Sequence, residues 1–436
     1  MTAFDLASNS FFDDPYPTYR QMRAEQPAYY CPKTNLWFVS RYRDIADALA
    51  RPDLFSSSAG NALSDSPLRV GKTLGSIDPP RHDELRRIII RGVTPARIEL
   101  VLPWIQAELA RRLEVLSPRR QCDFVTDISR PLLFGGLGRM LGLGPDSARK
   151  ASELSERLFR GESGPAGPAL AEGDRAEVIA LLSAELARRR VERDDDLFSV
   201  LIAAQAAGAP LSDAEIVANM MTVLLAGNAS IGHFLPNLMH ALWRHPDQRS
   251  RVIGDPTLID AAIEEAVRWD TSTQCFARTT SAPAEIAGID VPPGARIALL
   301  YASANRDETA IADAERFDVT RGKIRHFGFG FGPHICLGAS ATRSILRAIL
   351  PGILAELGEF DIDLDTAGRV RHLMVRGFKS LSIIWRHVFP CEAPQPAPDG
   401  HPLPVRGRTR RSRSGRARRQ TSWKKASDPS PVGPLR

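Results

Sequence analysis

Cysteine is scarce in this 436-residue chain: Cys31, Cys122, Cys275, Cys336 and Cys391 lie far apart, and no two form a Cys-x-x-Cys pair. An odd, scattered set excludes a disulfide scaffold and fits a reducing cytoplasm. No run of about 18 apolar residues occurs, so no transmembrane helix is expected. The first residues, MTAFDLASNSFFDDPYP, carry acids and lack a basic-then-apolar order, so no signal peptide is expected. No internal repeat is found. What is present is an ordinary globular balance, 43% hydrophobic and 25% charged, which excludes a wholly disordered or collagen-like chain.

An excess of acid is also missing, since the formal net charge is +6. The excess of base is local. Residues 387–436 hold 11 Lys/Arg and 3 Asp/Glu, so the rest of the chain carries a net of −2. A nucleic-acid partner for the whole chain loses its support once the charge is divided. From about Arg386 the composition turns to Pro, Arg, Ser and Gly with little to bury, which predicts a disordered tail after a body of residues 1–386. Arg406–Lys425 holds ten basic residues and no acid. That run is either a site for an anionic partner or a solvated extension without a role.

The body reads as one mainly helical domain with small sheets. Helical patterns run over 102–116, 174–192, 213–244, 258–269 and 338–357. Within 258–269, Ile259, Ile263, Ala266 and Val267 share a face opposite acids. The stretch MMTVLLAG in 213–244 is apolar nearly all round, so this helix should cross the core. Strand signals sit at 36–40, 296–301 and 379–384, while 60–80, 161–168 and 283–294 read as loops.

The sharpest feature is residues 326–338, HFGFGFGPHICLG. A cysteine in such a loop is ordinarily a small buried hydrophobe. Here Gly330, Gly332 and Gly338 allow close approach of something flat, and Phe329 supplies an aromatic wall. A helix begins just after Cys336, so its dipole favours a thiolate there. A thiolate at a helix start suits an axial ligand to haem iron.

With these residues the chain resembles the cytochrome P450 family. Phe329-x-x-Gly332-x-x-x-Cys336-x-Gly338 matches the family's haem-binding signature. Glu265-Ala-Val-Arg268 resembles its ExxR motif, and Arg316 within AERFD resembles the arginine that completes that network. Ala304-Asn-Arg-Asp307, the segment Asp78–Arg86 and Gly377–Leu381 resemble further family segments, so the resemblance spans about residues 10–386. It implies a triangular helical fold with haem b, iron protoporphyrin IX, held by Cys336. It points to His82, Arg86, Arg278 and His334 for the propionates, with Phe329, Gly330 and Gly338 beside the cofactor. Residues 60–76, Met221–Leu225, Thr271–Phe276 and Leu373–Met374 would line an apolar substrate pocket.

One segment departs from the pattern. On the long central helix, family monooxygenases carry an acid and a threonine, whereas this chain has Ala226-Gly227-Asn228-Ala229-Ser230. Gly227 is expected to let the helix open beside oxygen, and Ser230 can donate a hydrogen bond, but Ala229 relays no proton. His233, one turn on, is expected to pack rather than act. The resemblance implies a cytoplasmic monooxygenase that uses O2 and a separate ferredoxin or flavodoxin with its reductase. Arg87 and Arg91 are candidate contacts for such an acidic carrier. Two competitors stand beside it: a nitric oxide reductase of the same fold, whose family members also lack the acid, and a non-catalytic haem- or nucleic-acid-binding protein.

Overall fold

The computed structural model describes residues 4–65, 67, 69–162 and 167–386. The tail predicted from residue 387 therefore lies outside the described residues, as do 163–166 of the loop predicted at 161–168; residues 161–162 and 167–168 are helical instead.

The chain begins with α1 (Asn9–Asp13), α2 (Tyr16–Glu25), β1 (Ala28–Cys31), β2 (Leu36–Val39), α3 (Tyr42–Ala50) and β3 (Phe55–Ser56). Then come α4 (Arg81–Ile89), α5 (Pro95–Leu116), β4 (Gln121–Asp123), α6 (Arg130–Leu141), α7 (Pro145–Glu162), α8 (Gly167–Val191) and α9 (Leu197–Ala206). The central helix α10 (Asp213–Arg244) is followed by α11 (Pro246–Gly254), α12 (Ile259–Trp269), β5 (Cys275–Thr280), β6 (Ala284–Ile286), β7 (Ile289–Val291) and β8 (Arg296–Leu300). The last elements are α13 (Tyr301–Ala304), α14 (Ala339–Leu357), β9 (Phe360–Arg369) and β10 (Phe378–Trp385). All five helical patterns read from the sequence are helices, and all three strand signals are strands.

The sheets are small and peripheral. One has the order β1-β2-β8-β5-β3, with β2 and β8 parallel and the other pairs antiparallel. A second has the order β4-β10-β9. Segment 283–294 is not the loop its proline and glycines predicted. It folds as the hairpin β6–β7, because Ala287 and Gly288 both take positive φ (54° and 76°) and close a two-residue turn.

Helix α10 starts at a capping box, Ser212 with Glu215, which satisfies its first amide groups. By length and hydropathy it could cross a bilayer, but it packs against α6, α7, α8 and α12 as the axis of a helical body. The largest core cluster joins apolar residues of α5, α6, α10, α12, α14 and the β4-β10-β9 sheet. α12 contributes the face expected of it, with Ile259, Ile263, Ala266 and Val267 all buried. Asp260 and Glu264 of the same helix reach instead to Arg347 and Arg343 of α14. This α12–α14 contact positions the cysteine loop between them.

Candidate haem site

Cys336 closes the loop that precedes α14. Its amide donates to the Phe329 carbonyl at 2.8 Å, and the Gly330 amide donates to Phe327 O at 2.8 Å, which folds the chain back on itself. Gly330 and Gly332 take φ of +71° and +72°. At Gly332 a Cβ would lie 2.6 Å from the Leu49 carbonyl, so this position needs glycine on both counts. Among the described cysteines Cys31, Cys122 and Cys275 are buried, and Cys336 is exposed. Protein atoms nonetheless crowd its thiol, and this desolvation raises its pKa. The amide groups of Gly338 and Ala339 and the charges of Arg86 and Arg343 pull the other way.

The four residues expected to meet propionates come from three separate elements and are brought together. His82 of α4 and His334 of the loop lie with ring centroids 4.3 Å apart. His82 is fully buried, and its Nδ1 lies 2.8 Å from Asp83 Oδ1. Arg278 of β5 is also buried, with Nη1 on the Ala277 carbonyl. Burial, then Arg278, His82 and Arg86, push His334 down to about 3. Burial likewise lowers Arg86, against the favourable charges of Cys336 and Asp83. The Nε2 atoms of both histidines are buried without a hydrogen-bond partner among the described residues. Two arginines beside two imidazoles with orphaned ring nitrogens suit a ligand that brings its own anionic oxygens. The residues present therefore fit a haem carrying two propionates beside a thiolate.

The ExxR pair is buried and saturated. Arg268 gives two bonds to Glu265, at 2.8 and 2.7 Å, and three more to the carbonyls of Asn305, Ala314 and Arg316. The expectation for Arg316 is corrected here. Its carbonyl joins the network, but its side chain is 64% exposed, 3.8 Å from Asp318. The guanidinium that reaches Glu265 belongs to Arg321, at 3.1 Å and 12% exposed. A tight turn after Phe317 brings Arg321 back; no local pattern in the sequence marks it.

On α10 the picture differs. The helix runs unbroken through 226–230. What Gly227 supplies is room: a Cβ there would meet Leu137 Cδ2 of α6 at 2.7 Å. Ala226 is exposed. The side chains of Ala229 and Ser230 lie outside the described residues. His233 packs against Gly377, and burial lowers its pKa to about 4. Of the expected pocket segments, three meet: the Gln274 amide donates to Met374 O at 2.8 Å, and the Leu63 amide lies 3.4 Å from Met374 Sδ. Asn219, which sequence reading missed, ties 60–76 to α10. Its Oδ1 accepts from the Leu74 amide, and its Nδ2 donates to Lys72 O and Glu215 O. Arg87 and Arg91 are exposed.

A family description, Cytochrome P450, matches residues 176–371. Cytochrome P450 130 of Mycobacterium tuberculosis is 31% identical over 377 residues, 82% of this chain and 92% of that protein. The chain belongs to the cytochrome P450 family. Like the monooxygenases in that family it is an oxidoreductase. It is also 30% identical to the steroid C26-monooxygenase of Mycolicibacterium smegmatis, over 87% of this chain and 96% of that one. Its fold is similar to that of CYP109E1 from Bacillus megaterium, solved with testosterone, with a TM-score of 0.81 at 24% identity, covering 87% and 100% of the two chains. The mainly helical P450 fold expected from the resemblance is thus the fold of this chain.

Proposed function

We propose that this P450 is a cytoplasmic monooxygenase that carries haem b and inserts one oxygen atom of O2 into an apolar organic substrate, of terpenoid or related secondary-metabolite type. Electrons come from a separate ferredoxin or flavodoxin with its reductase. The observation that carries the reading is Cys336: the exposed thiol among the described cysteines, just before α14, beside Arg86, Arg278 and two histidines whose Nε2 atoms lack partners among the described residues. Haem held through a thiolate supplies one-electron and O2 chemistry, the thiolate pushing electron density toward O–O cleavage. The protein's part is to hold, orient and exclude. Cys336 is the iron ligand. Arg86 and Arg278 pair with the propionates, His82 and His334 hydrogen-bond to them, and Phe329, Gly330 and Gly338 form the wall on the cysteine side. Ala226 and Gly227 line the distal face, and Ser230 orients water there in place of the usual acid–alcohol pair. Arg87 and Arg91 present charge to an acidic electron carrier.

The steroid substrate named for a relative of 30% identity supports an apolar ligand, as do the apolar side chains of Leu63, Leu373 and Met374. Residues 1–386 form the catalytic body, and residues 387–436 are a separable basic tail. Truncation after Arg386 is then expected to leave haem content and melting midpoint unchanged.

The test uses purified full-length protein. Oxygen uptake that requires ferredoxin and its reductase, and that rises with a steroid or terpenoid ligand, is the expected result. Rapid consumption of nitric oxide with reduced nicotinamide nucleotide and no protein carrier would overturn it in favour of nitric oxide reduction.

A further inference from the structure

Glu264 of α12 bridges the first residue of the cysteine loop and the helix α14 that follows it. Its Oε2 lies 3.1 Å from His326 Nε2, at the loop's first residue. Both its oxygens accept from Arg343, at 2.6 Å from Nε and 2.8 Å from Nη2. Arg343 stands on α14, seven residues after Cys336. Between these anchors lies Phe329. The Arg343 guanidinium sits 4.3 Å from its ring centroid, and the His326 ring 6.1 Å away. The carbonyl of the same phenylalanine accepts from the Cys336 amide. Glu265, the next residue, turns to Arg268 and Arg321 and takes no part. A two-bond fork from arginine to carboxylate fixes geometry in a way that a lysine cannot.

We infer that Glu264 and Arg343 are positioning residues for the Cys336 ligand. The carboxylate ties His326 to Arg343, so Phe329 and the backbone bonded to Cys336 keep one arrangement, and the paired charges set the local field at the sulfur. The inference rests on the proposed ligation by Cys336. A nearby cation favours the electron-richer ferrous state and a nearby anion the ferric state. Removing Arg343 leaves the charge of Glu264 behind, while neutralising Glu264 leaves that of Arg343. The two changes therefore act with opposite sign.

The experiment is a spectroelectrochemical titration of wild type, Arg343→Met and Glu264→Gln as full-length holoproteins, with the reduced carbonyl spectrum of each. At a fixed potential, Arg343→Met is expected to move the ferric/ferrous ratio toward ferric by about three- to tenfold, and Glu264→Gln toward ferrous by a similar factor. Arg343→Lys, which keeps the charge, is expected to stay near wild type. Should Arg343→Met fail to retain haem, Arg343→Gln carries the same expected sign. Equal shifts of one sign, or haem loss and lower melting midpoints with the ratio unmoved, would overturn the inference and leave a stability role. A wild-type protein without the thiolate-type carbonyl band would overturn the ligation itself, which is a separate result.

Discussion

Around Cys336 charged side chains meet charged partners, whereas α10 from Met220 to Gly227 is held mostly by apolar contact. Glu264, Glu265, Arg268, Arg321 and Arg343 form ion pairs that bind α12, α14 and the loop before Cys336 into one unit. Along α10, Met220, Met221 and Leu224 are buried in an apolar cluster, and Gly227 rests against Leu137. Buried charge tolerates few partners, since a lost partner leaves an uncompensated ion. Apolar packing asks mainly for volume, which many side chains supply. The cysteine side should therefore fail sharply when altered, and the α10 side should adjust.

The largest expected effect is at the ligand. Cys336→Ser should abolish the red-shifted Soret band of the reduced carbonyl complex, and Cys275→Ser should retain it. A band that survives Cys336→Ser would break the comparison at its centre.

Next come the ion pairs. Arg268→Ala leaves buried Glu265 with Arg321 as its charged partner and takes the donor from three carbonyls, and should cost about 3–5 kcal/mol in denaturant unfolding. Arg321→Ala should cost less but remain measurable, whereas Arg316→Ala should stay within about 0.5 kcal/mol, as for an exposed surface position. Reversal of the last two would return the network to Arg316.

Acid should separate the two sides by pH. Burial holds His233 and His240 of α10 down to about 4 and about 3, so the folded state refuses protons that the unfolded chain accepts below 6.5. The unfolded state then binds more protons, and stability falls as pH drops through that window, by about 1.4 kcal/mol for each tenfold difference in proton affinity between the two states. On the cysteine side burial pushes Glu264 up, but Arg343 and His326 outweigh it and hold it near 2. Its contribution is present above 4.5 and is lost between there and about 2. Melting midpoints should therefore decline from pH 6.5 and steepen below 4.5, with the first decline reduced in His240→Gln. A flat profile between 6.5 and 4.5 would contradict the burial of these histidines.

Asn219→Ala should loosen the 60–76 segment. It strands the Leu74 amide and takes the side-chain donor from the Lys72 carbonyl, for about 1–3 kcal/mol, and amide exchange at 72–76 should quicken. Unchanged exchange would mean that the segment is held elsewhere. The smallest effect is expected for Gly227→Ala. Helix propensity gains up to about 1 kcal/mol, and the atom it meets is the mobile end of Leu137, so stability should change by less than about 1 kcal/mol while ligand-binding spectra shift.

Much of this was legible in the order of residues. Helix spans, the cysteine loop and the ExxR pair depend on spacings of a few residues, where local periodicity and backbone geometry decide the outcome. The hairpin at 284–291 escaped because a two-residue turn at Ala287 and Gly288 looks, residue by residue, like any loop. What tertiary structure alone decided is partnership across distance. Arg321 rather than Arg316 reaches Glu265, Glu264 clasps Arg343 of α14, and Asn219 finds Lys72 and Leu74 nearly 150 residues away. Several arginines of equal charge stand at similar distances along the chain. Only the packing of α12 on α14, and of the 60–76 segment on α10, selects which one is near enough to bond.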